Sequence, residues 1–254
     1  MRSLLDNCYL CLVNITRTIQ EVIEKLPEGL VVGYSDMGIE SSDYPAAAQA
    51  MSRLVKSGRL QRASTGLFYK PKRTVFGQLK PAEEQLIRPY LYEKDKRIAY
   101  VTGTSLYNQM GLTTQIPAVI QVACRSKRIT ATIGSVRIKA VKSYVDVTDD
   151  NYQLLGLLDA IKDFKNIPDL EVKRGLAILK KRLAALQEKE LKLLIEFAIY
   201  YPPRTRALTG ALLEWTKKGP TLLKPLQESL NPLSSFELGI PQNQLPTALK
   251  WNIN

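Results

Sequence analysis

The sequence predicts an α+β fold built from three parts, and three observations support this prediction. Between residues 43 and 70, a helical pattern ending in glycine runs into two short strand-like runs. Alternating strand patterns flank a Gly-Ser turn near residue 134, and leucines at helical spacing fill the chain after residue 150. The predicted boundaries are residues 1–72, 73–148 and 149–254. The last two parts are either separate or form one domain.

The helix predicted at residues 44–56 has two different faces. Apolar residues recur there at the i, i+3, i+4, i+7 spacing of one helical face: Ala47, Ala50, Met51 and Leu54. Pro45 suits the first turn, and Gly58 lies just beyond the last turn, as is typical of a helix end. The opposite face can donate hydrogen bonds to base edges and attract phosphates. It carries Gln49, Ser52, Arg53 and Lys56.

Two short strands with a Thr65-Gly66 turn are predicted directly after this helix, and they place Arg59, Arg62 and Lys70 around the tip. Upstream, the pattern predicts a helix from Asn14 to Leu26, a short strand at Leu30–Val32 and a brief helix over 35–39. The order helix, strand, helix, helix, strand, strand is that of a winged helix-turn-helix. The alternative is a small helical domain whose basic face is only solvated, and the wing favours DNA binding.

The charge balance favours a polyanionic partner. The chain has 36 Lys+Arg against 24 Asp+Glu, a net charge of +12 spread along its whole length. Nucleic acid or an acidic protein fits this excess. The absence of histidine excludes Ser-His-Asp and Cys-His catalysis and most catalytic zinc sites. We predict no metal and no cofactor.

The three cysteines, Cys8, Cys11 and Cys124, do not predict a metal or redox site. Cys8 and Cys11 form a CxxC pair, but neither a second pair nor a βαβ pattern accompanies it. We interpret the pair as two small buried residues on a helix. Few cysteines and no signal peptide predict a cytoplasmic location. The apolar run Leu10–Val13 is too short to span a membrane.

The middle segment begins with a predicted linker at 71–73 and a helix with Pro81 at its first position. Strands are predicted at 98–102 and 116–124, with a short helix at 103–110 between them. Alternating strands at 128–133 and 136–142 flank Gly134-Ser135 and predict a β-hairpin. This region offers a candidate second basic surface, or alternatively a solvated sheet face. Its residues are Arg125, Lys127, Arg128, Arg137 and Lys139.

An enzyme acting on nucleic acid is a weaker alternative. Gly134-Ser135, followed by Asp146 and Thr148, approaches the Gly-Ser…Asp-x-Asp pattern of nucleotidyltransferases. A two-metal site needs at least two carboxylates close together, and Thr148 stands where the second is expected. An enzyme would have to use Asp146 with Asp149-Asp150 in a predicted loop. The Gly-Ser pair is better explained as a turn.

The C-terminal part reads as an α-helical region with charged outer faces. Leucine stripes predict helices around residues 154–161, 176–186, 191–198 and 208–215, with Pro168-Asp169 capping the second. Gly219-Pro220 is predicted to stop the last helix. The tail from Pro225 to Asn254 is predicted to pack as irregular structure.

Three stretches taken in order resemble one family. They are AMSRLVKSGRLQRASTGLFYKP, then VTGTSLYNQMGLTTQIPAVIQVAC, and finally YPPRTRALTGALLEW with the later LPTALKWNIN. Together they are similar to AbiEi-type antitoxins of abortive-infection, type IV toxin–antitoxin systems. The resemblance covers most of the chain from about Thr16 onward.

This resemblance implies an N-terminal domain that represses its own operon by binding inverted repeats in promoter DNA. It implies a C-terminal part that counteracts a nucleotidyltransferase-like toxin, directly or indirectly. The predicted protein is therefore a non-enzymatic antitoxin and autorepressor, and the alternative is a winged-helix regulator with a ligand- or partner-binding C-terminal domain and no toxin. The predicted DNA-binding residues are Tyr44, Gln49, Ser52, Arg53, Lys56, Arg62, Thr65, Gly66 and Lys70.

Overall fold

The predicted α+β class is confirmed by the computed structural model, which describes residues 15–75, 77–93 and 95–254. The chain forms two compact units. Unit 1 contains the residues up to Arg97 together with Ala131–Val136, and unit 2 contains Ile98–Thr130 and Arg137–Asn254. Cys8, Cys11 and the run 10–13 lie outside the described residues. Of the helices described, none is long and apolar enough to cross a membrane.

Unit 1 has the order and pairing of a winged helix. Its elements are α1 (residues 15–25), β1 (Val31–Gly33), α2 (Tyr44–Lys56), β2 (Gln61–Ser64) and β3 (Leu67–Tyr69). The central strand β3 pairs antiparallel with both β1 and β2. The helix predicted at 35–39 is only a 3-10 turn, Ser35–Met37, because Gly38 at φ 70° ends it. A second 3-10 turn, Ser41–Asp43, leads into α2.

The apolar face predicted for α2 is confirmed, and it forms the centre of the unit 1 core. Ala47 and Met51 are fully buried, with Ile19 of α1 and Phe68 of β3 in the same cluster. Fully burying a large apolar side chain contributes about 1.5–3 kcal/mol. This packing holds one face of α2 against the unit and leaves the other face to solvent.

The prediction of a linker at 71–73 is wrong. Lys72–Thr74 and Gly77–Leu79 form an antiparallel hairpin, β4 and β5. The sequence missed it because its strands are exposed and show no apolar alternation. Unit 1 then continues through α3 (Glu83–Leu91), β6 (Tyr92–Glu93) and β7 (Lys96–Arg97).

The helix α3 packs on β1, so unit 1 extends to Arg97 and not only to the residue 72 expected from sequence. Pro81 precedes the N-cap residue Ala82, so it does not occupy the first helical position as predicted. On this helix Ile87 is buried, and the neighbouring Leu86 is half-buried.

The strands of unit 2 form a mixed sheet. The strands are β8 (Ala99–Thr102), β9 (Ile120–Cys124) and β11 (Val136–Lys142), and the helix α4 (Thr104–Gln109) lies between β8 and β9 in the chain. The strand β9 pairs antiparallel with β8 and parallel with β11. The predicted Gly134-Ser135 turn is confirmed between β10 (Ala131–Ile133) and β11, with Gly134 at φ 58°. The strand expected from 116 begins only at Ile120.

Five helices complete unit 2: α5 (Tyr152–Lys162), α6 (Val172–Ala184), α7 (Glu188–Ala198), α8 (Pro203–Trp215) and α9 (Pro220–Glu228). The predicted leucine stripes are confirmed as core. Two boundaries were predicted wrongly. Gly219 is the N-cap of α9, because Pro220 fits the first turn of a new helix. The N-cap of α6 is Glu171, since Asp169 has a left-handed φ of 53°.

The tail after α9 is mostly irregular, as predicted, and it completes the core of unit 2. Trp251 is 2% exposed and its Nε1 donates a hydrogen bond of 2.7 Å to Glu214 Oε2 of α8. The side chain lies directly over Gly210 of α8, where any Cβ would be only 2.2 Å from the indole ring. The predicted start of the tail at Pro225 is wrong, because Pro225 lies inside α9.

Candidate nucleic-acid interface

The exposed face of α2 is the largest set of predicted site residues that the structure brings together. Its side chains project from the side opposite the buried Ala47 and Met51, and all four are exposed: Gln49, Ser52, Arg53 and Lys56. Within the described part of the chain, no hydrogen bond or ion pair engages these four side chains. Their donors and charges are therefore available to a ligand.

The position of the cations on α2 follows from local helix physics. Arg53 and Lys56 lie in the last turn, where the negative end of the helix dipole stabilises them. Arg59 follows the helix, but it forms a 3.5 Å ion pair with Glu24 of α1. Arg53 and Lys56 are thus the basic side chains that this end of α2 offers to solvent.

The wing follows α2, as predicted. Thr65 is exposed at its tip, and Gly66 has φ 75°, a left-handed conformation that glycine adopts without strain. Arg62 is exposed on β2, and its guanidinium lies 5.5 Å from the ring centroid of Phe68. Stacking on this ring holds an exposed cation in a defined direction.

Aromatic contacts bring the start of α2 and the wing tip together. Tyr44 stacks on Tyr34, with ring centroids 5.0 Å apart. Tyr34 also meets Phe68 edge-on at 5.8 Å. The sequence pattern predicted Tyr44 as a DNA-binding residue and gave no indication of Tyr34. An aromatic residue in the turn after a strand is a weak sequence signal, and only the fold shows that it bridges two elements.

Lys70 lies apart from the wing tip. It follows Tyr69, whose neighbours across the sheet are Val31 and Gln61, so it is at the opposite end of β3 from Gly66. Lys70 is four residues along the strand from Gly66, a distance of about 13 Å. Lys70 lines a groove there with Arg59 and the acidic residues Glu24 and Glu28. The structure therefore does not group Lys70 with the other predicted DNA-binding residues.

The residues of the candidate second basic surface are also not brought together in one place. All five residues are exposed: Arg125, Lys127, Arg128, Arg137 and Lys139. Arg125 follows the end of β9, whereas Arg137 precedes Ile138, the residue paired with Ile120 at the start of β9. These two cations are about 15–20 Å apart along the strand. Arg125 is also occupied, with a 3.7 Å ion pair to Asp146 and a 3.3 Å hydrogen bond to the Tyr144 carbonyl.

The carboxylates considered for an enzyme lie in a turn that has a local explanation. Asn151 Oδ1 accepts a 2.9 Å hydrogen bond from the Thr148 N–H, and Asn151 Nδ2 donates to the Asp146 carbonyl at 2.8 Å. These bonds close the turn that starts α5. In the described ranges, no group of three His, Cys, Asp or Glu side chains could hold a metal ion.

Unit 2 contains a buried polar cluster that the sequence did not predict. Asp159 of α5 is 2% exposed. Its Oδ2 accepts hydrogen bonds from Tyr100 Oη at 2.8 Å and Thr102 Oγ1 at 2.7 Å. Its Oδ1 accepts one from Lys162 Nζ at 3.1 Å. We refer to these four residues, with Tyr107, Asp163 and Tyr201, as the Asp159 cluster.

The Asp159 cluster perturbs several pKa values. Burial, and then the charge of Asp159, raise the pKa of Tyr100 and Tyr201. Burial and the neighbouring Asp163, which accepts a 2.7 Å hydrogen bond from the hydroxyl, raise the pKa of Tyr107. Burial alone lowers the pKa of Lys162, but Asp159 and Asp163 outweigh it and raise that pKa above 10.5. The tyrosines are therefore neutral and the lysine charged at neutral pH.

The fold and the α2 face define a winged-helix protein. The chain belongs to a family of unknown function, DUF6088, whose model matches residues 18–174. No curated protein matches it. Among solved structures, it is similar to one described as the crystal structure of RV2827C protein from Mycobacterium tuberculosis. The two share 13% identity and a TM-score of 0.46, over 87% of this chain and 85% of that chain. A likeness at this level carries no argument about function.

Proposed function

We propose that this protein is a DNA-binding autorepressor and the antitoxin of a type IV toxin–antitoxin system. The observation that carries the DNA-binding part is the exposed face of α2, whose Gln49, Ser52, Arg53 and Lys56 have no partner among the described residues. In the free protein water hydrates these side chains. Their position on an ordered helix beside a wing lets the same groups bond to the base edges and phosphates of double-stranded DNA.

At DNA, the helix α2 enters the major groove and the wing contacts the flanking backbone or minor groove. An arginine can form two hydrogen bonds with guanine O6 and N7, and a glutamine can do the same with adenine N6 and N7. Arg53 and Gln49 carry these groups on the exposed face. Lys56 and Arg62 supply phosphate contacts, which fix position and do not specify sequence.

The net charge of +12 adds a long-range attraction for DNA. Neutralising phosphates releases counterions, so affinity falls steeply as salt rises. The DNA site is the promoter of the protein's own operon, with inverted repeats, and binding there represses transcription in the cytoplasm. No cofactor or catalytic step takes part.

The antitoxin role is supported by the resemblance of three ordered stretches to AbiEi-type antitoxins. In this proposal unit 2 counteracts a nucleotidyltransferase-like toxin, through direct contact or an indirect route. The division into two compact units is compatible with two separable roles. Repression then depends on the α2 face, and toxin protection depends on unit 2.

Arg53→Ala tests the DNA-binding part. We expect operator affinity to fall by about 1–3 kcal/mol and sequence preference to relax, because a base-contacting side chain is removed. The measurement is a salt-matched gel shift on the protein's own promoter. Arg204→Ala is the matched control, since Arg204 is an exposed arginine of α8 in unit 2. Equal affinity of Arg53→Ala and wild type would contradict the assignment.

A full-length Arg53→Ala protein also separates the two roles in cells. We expect it to lose repression of a promoter–reporter fusion while it still protects cells that express the cognate toxin. Wild type and Arg204→Ala should do both. Failure of the wild type to protect against the neighbouring toxin would remove the antitoxin role and leave DNA binding intact.

A plain regulator with a ligand-binding unit 2 is the second candidate, favoured by one observation. A groove of about 520 Å³ lies between α7 and α9, lined mainly by apolar side chains such as Ile195, Ile199 and Leu222. Its size falls within the range of small-molecule sites. An adjacent reading frame for a nucleotidyltransferase-like protein favours the antitoxin. Its absence, together with ligand-dependent operator binding, favours the regulator.

A further inference from the structure

Tyr34 lies between the start of α2 and the wing. It follows β1 directly and is half-buried. Its ring lies 5.0 Å from Tyr44 at the start of α2 and 5.8 Å from Phe68 of β3. A Cβ placed on Gly66 at the wing tip would lie 3.9 Å from Tyr34 Cε2. One ring therefore contacts the helix and the sheet and lies beside the wing tip.

The backbone fixes where this ring can go. The Tyr34 carbonyl accepts hydrogen bonds from the N–H groups of Met37 at 3.2 Å and Ile39 at 3.1 Å. Just before it, the Gly33 N–H donates to Asp36 Oδ2 at 2.7 Å. These three bonds close the turn after β1 on itself. They fix the backbone at Tyr34, and the contacts with Tyr44 and Phe68 hold the ring itself.

The wing is short, and β2 is the edge strand of the sheet. The strands β2 and β3 have four and three residues, with a register shift between Arg62 and Ser64. The strand β3 is also paired with β1, and its Phe68 is buried in the core of unit 1. Tyr34 packs edge-on against this ring, and Arg62 lies over the same ring. Tyr34 is therefore one of the side chains that position the ring on which the Arg62 cation stacks.

We propose that Tyr34 is a positioning residue that holds the wing at a fixed distance from α2, so that both contact one DNA site. The inference rests on the proposed DNA-binding function. Holding two binding elements in their bound arrangement reduces the entropy lost on association. Tyr34 acts through Phe68 and Arg62 and needs no contact with DNA itself.

The first test compares two substitutions in the full-length protein. Tyr34→Leu removes the ring and keeps an apolar side chain, whereas Tyr34→Phe keeps the ring. We expect Tyr34→Leu to bind the operator roughly tenfold more weakly and to lower the salt slope by about 1, because one phosphate contact is lost. Tyr34→Phe should stay within about twofold of wild type, since the ring contacts are unchanged. Equal losses in both variants would overturn the proposal.

A double-mutant comparison shows whether Tyr34 acts on the wing. Arg62→Ala should weaken binding in the wild-type background and have no further effect in Tyr34→Leu, because the wing is already misplaced. Arg53→Ala should cost the same in both backgrounds, since α2 keeps its own core packing. Full additivity of Tyr34→Leu with Arg62→Ala would refute the positioning role.

Hydrogen exchange in the free protein gives a readout that does not need DNA. Amides of β2 and β3 should exchange faster in Tyr34→Leu, with those of α2 unchanged. Tyr44→Leu, which removes the stacking partner on the helix side, should show the same pattern if Tyr34→Leu does not fold. Uniform acceleration across unit 1, or none, would overturn the proposal. If the wild type binds no promoter fragment, the proposed function fails and this experiment alone decides the role of Tyr34.

Discussion

The α2 face of unit 1 and the Asp159 cluster of unit 2 treat polar side chains in opposite ways. On α2, Arg53 and Lys56 are exposed and have no partner among the described residues. In the Asp159 cluster, both carboxylate oxygens are occupied and the side chain is buried. Polar groups that the fold satisfies internally stabilise the fold. Groups left without partners on an ordered element remain available to a ligand.

Because its polar groups are satisfied internally, we do not propose the Asp159 cluster as a catalytic site. Its tyrosines have pKa values raised by burial and by nearby carboxylates, so they do not exchange protons near neutral pH. A polar network of this kind is costly to disturb and favours one arrangement of the sheet and α5. Substitutions on the α2 face should behave in the reverse way, with small effects on folding and large effects on DNA binding.

The largest effect on stability is expected from Asp159→Ala. It leaves Lys162 and two hydroxyl donors, of Tyr100 and Thr102, without their acceptor. Removing one partner of a buried charge pair costs about 3–5 kcal/mol. Urea denaturation should show this loss in the free energy of unfolding. Asp150→Ala is the matched control at an exposed aspartate, and it should be nearly neutral. Similar costs at both positions would break the comparison.

Alkaline pH should destabilise the same cluster. The pKa values of Tyr100, Tyr107 and Tyr201 are raised above their ordinary 10.0 in the folded protein. Above pH 10 the unfolded chain loses these protons and the folded chain keeps them. The stabilisation is therefore complete below about pH 10 and is lost as pH rises, by up to about 1.4 kcal/mol per pH unit for each tyrosine.

Denaturant titrations at a series of pH values between 9 and 11 measure this loss. In Tyr100→Phe the free energy of unfolding should fall less steeply with pH, because the variant has one tyrosine fewer that titrates in this range. An unfolding free energy that stays constant across this pH window would show that these tyrosines are not held as described.

Gly210→Ala tests the packing of the tail on α8. Its Cβ would lie 2.2 Å from Trp251, so the indole must move. Overpacking of this kind typically costs about 1–3 kcal/mol. The change should be visible as a lower midpoint of thermal unfolding and as altered tryptophan fluorescence. Gly219→Ala is the control, since nothing lies within 4 Å of its added carbon.

The smallest effect on folding is expected from Lys56→Ala on α2. Surface substitutions of this kind usually change the free energy of unfolding by less than about 0.5 kcal/mol. Operator binding should nevertheless weaken across all sequences, with a salt slope smaller by about 1. A large loss of stability with normal DNA binding would show that Lys56 serves folding and not binding, contrary to the role assigned to the α2 face.

The sequence was most informative where one face of an element is apolar. The bounds of α2 were predicted because its buried residues recur at helical spacing, and the wing turn was predicted because Gly66 marks a turn. The hairpin of β4 and β5 has no such pattern, since both strands are exposed. Several prolines were also misread: Pro81 precedes the N-cap of α3, Pro220 starts α9 and Pro225 lies within α9.

The polar arrangements could not be predicted from the sequence. Asp159 lies 59 residues from Tyr100 and 57 from Thr102 along the chain, so no local spacing indicates that they meet. Tyr34 and Phe68 are likewise brought together only by the pairing of β1 with β3. The predicted face of α2 needed no long-range contact, and for that reason it was recognised from the sequence alone.

The position of Trp251 also bears on how the protein is made. Synthesis runs from the N-terminus to the C-terminus. The residues of α5 to α8 therefore emerge from the ribosome well before Trp251, whose indole covers Gly210. Until Trp251 emerges, part of the helical core stays exposed to water and prone to aggregation. A stop codon in place of Trp251 should therefore yield a protein that proteases degrade rapidly. The winged helix, which is synthesised before α5 to α8, has all of its described core cluster by Phe68.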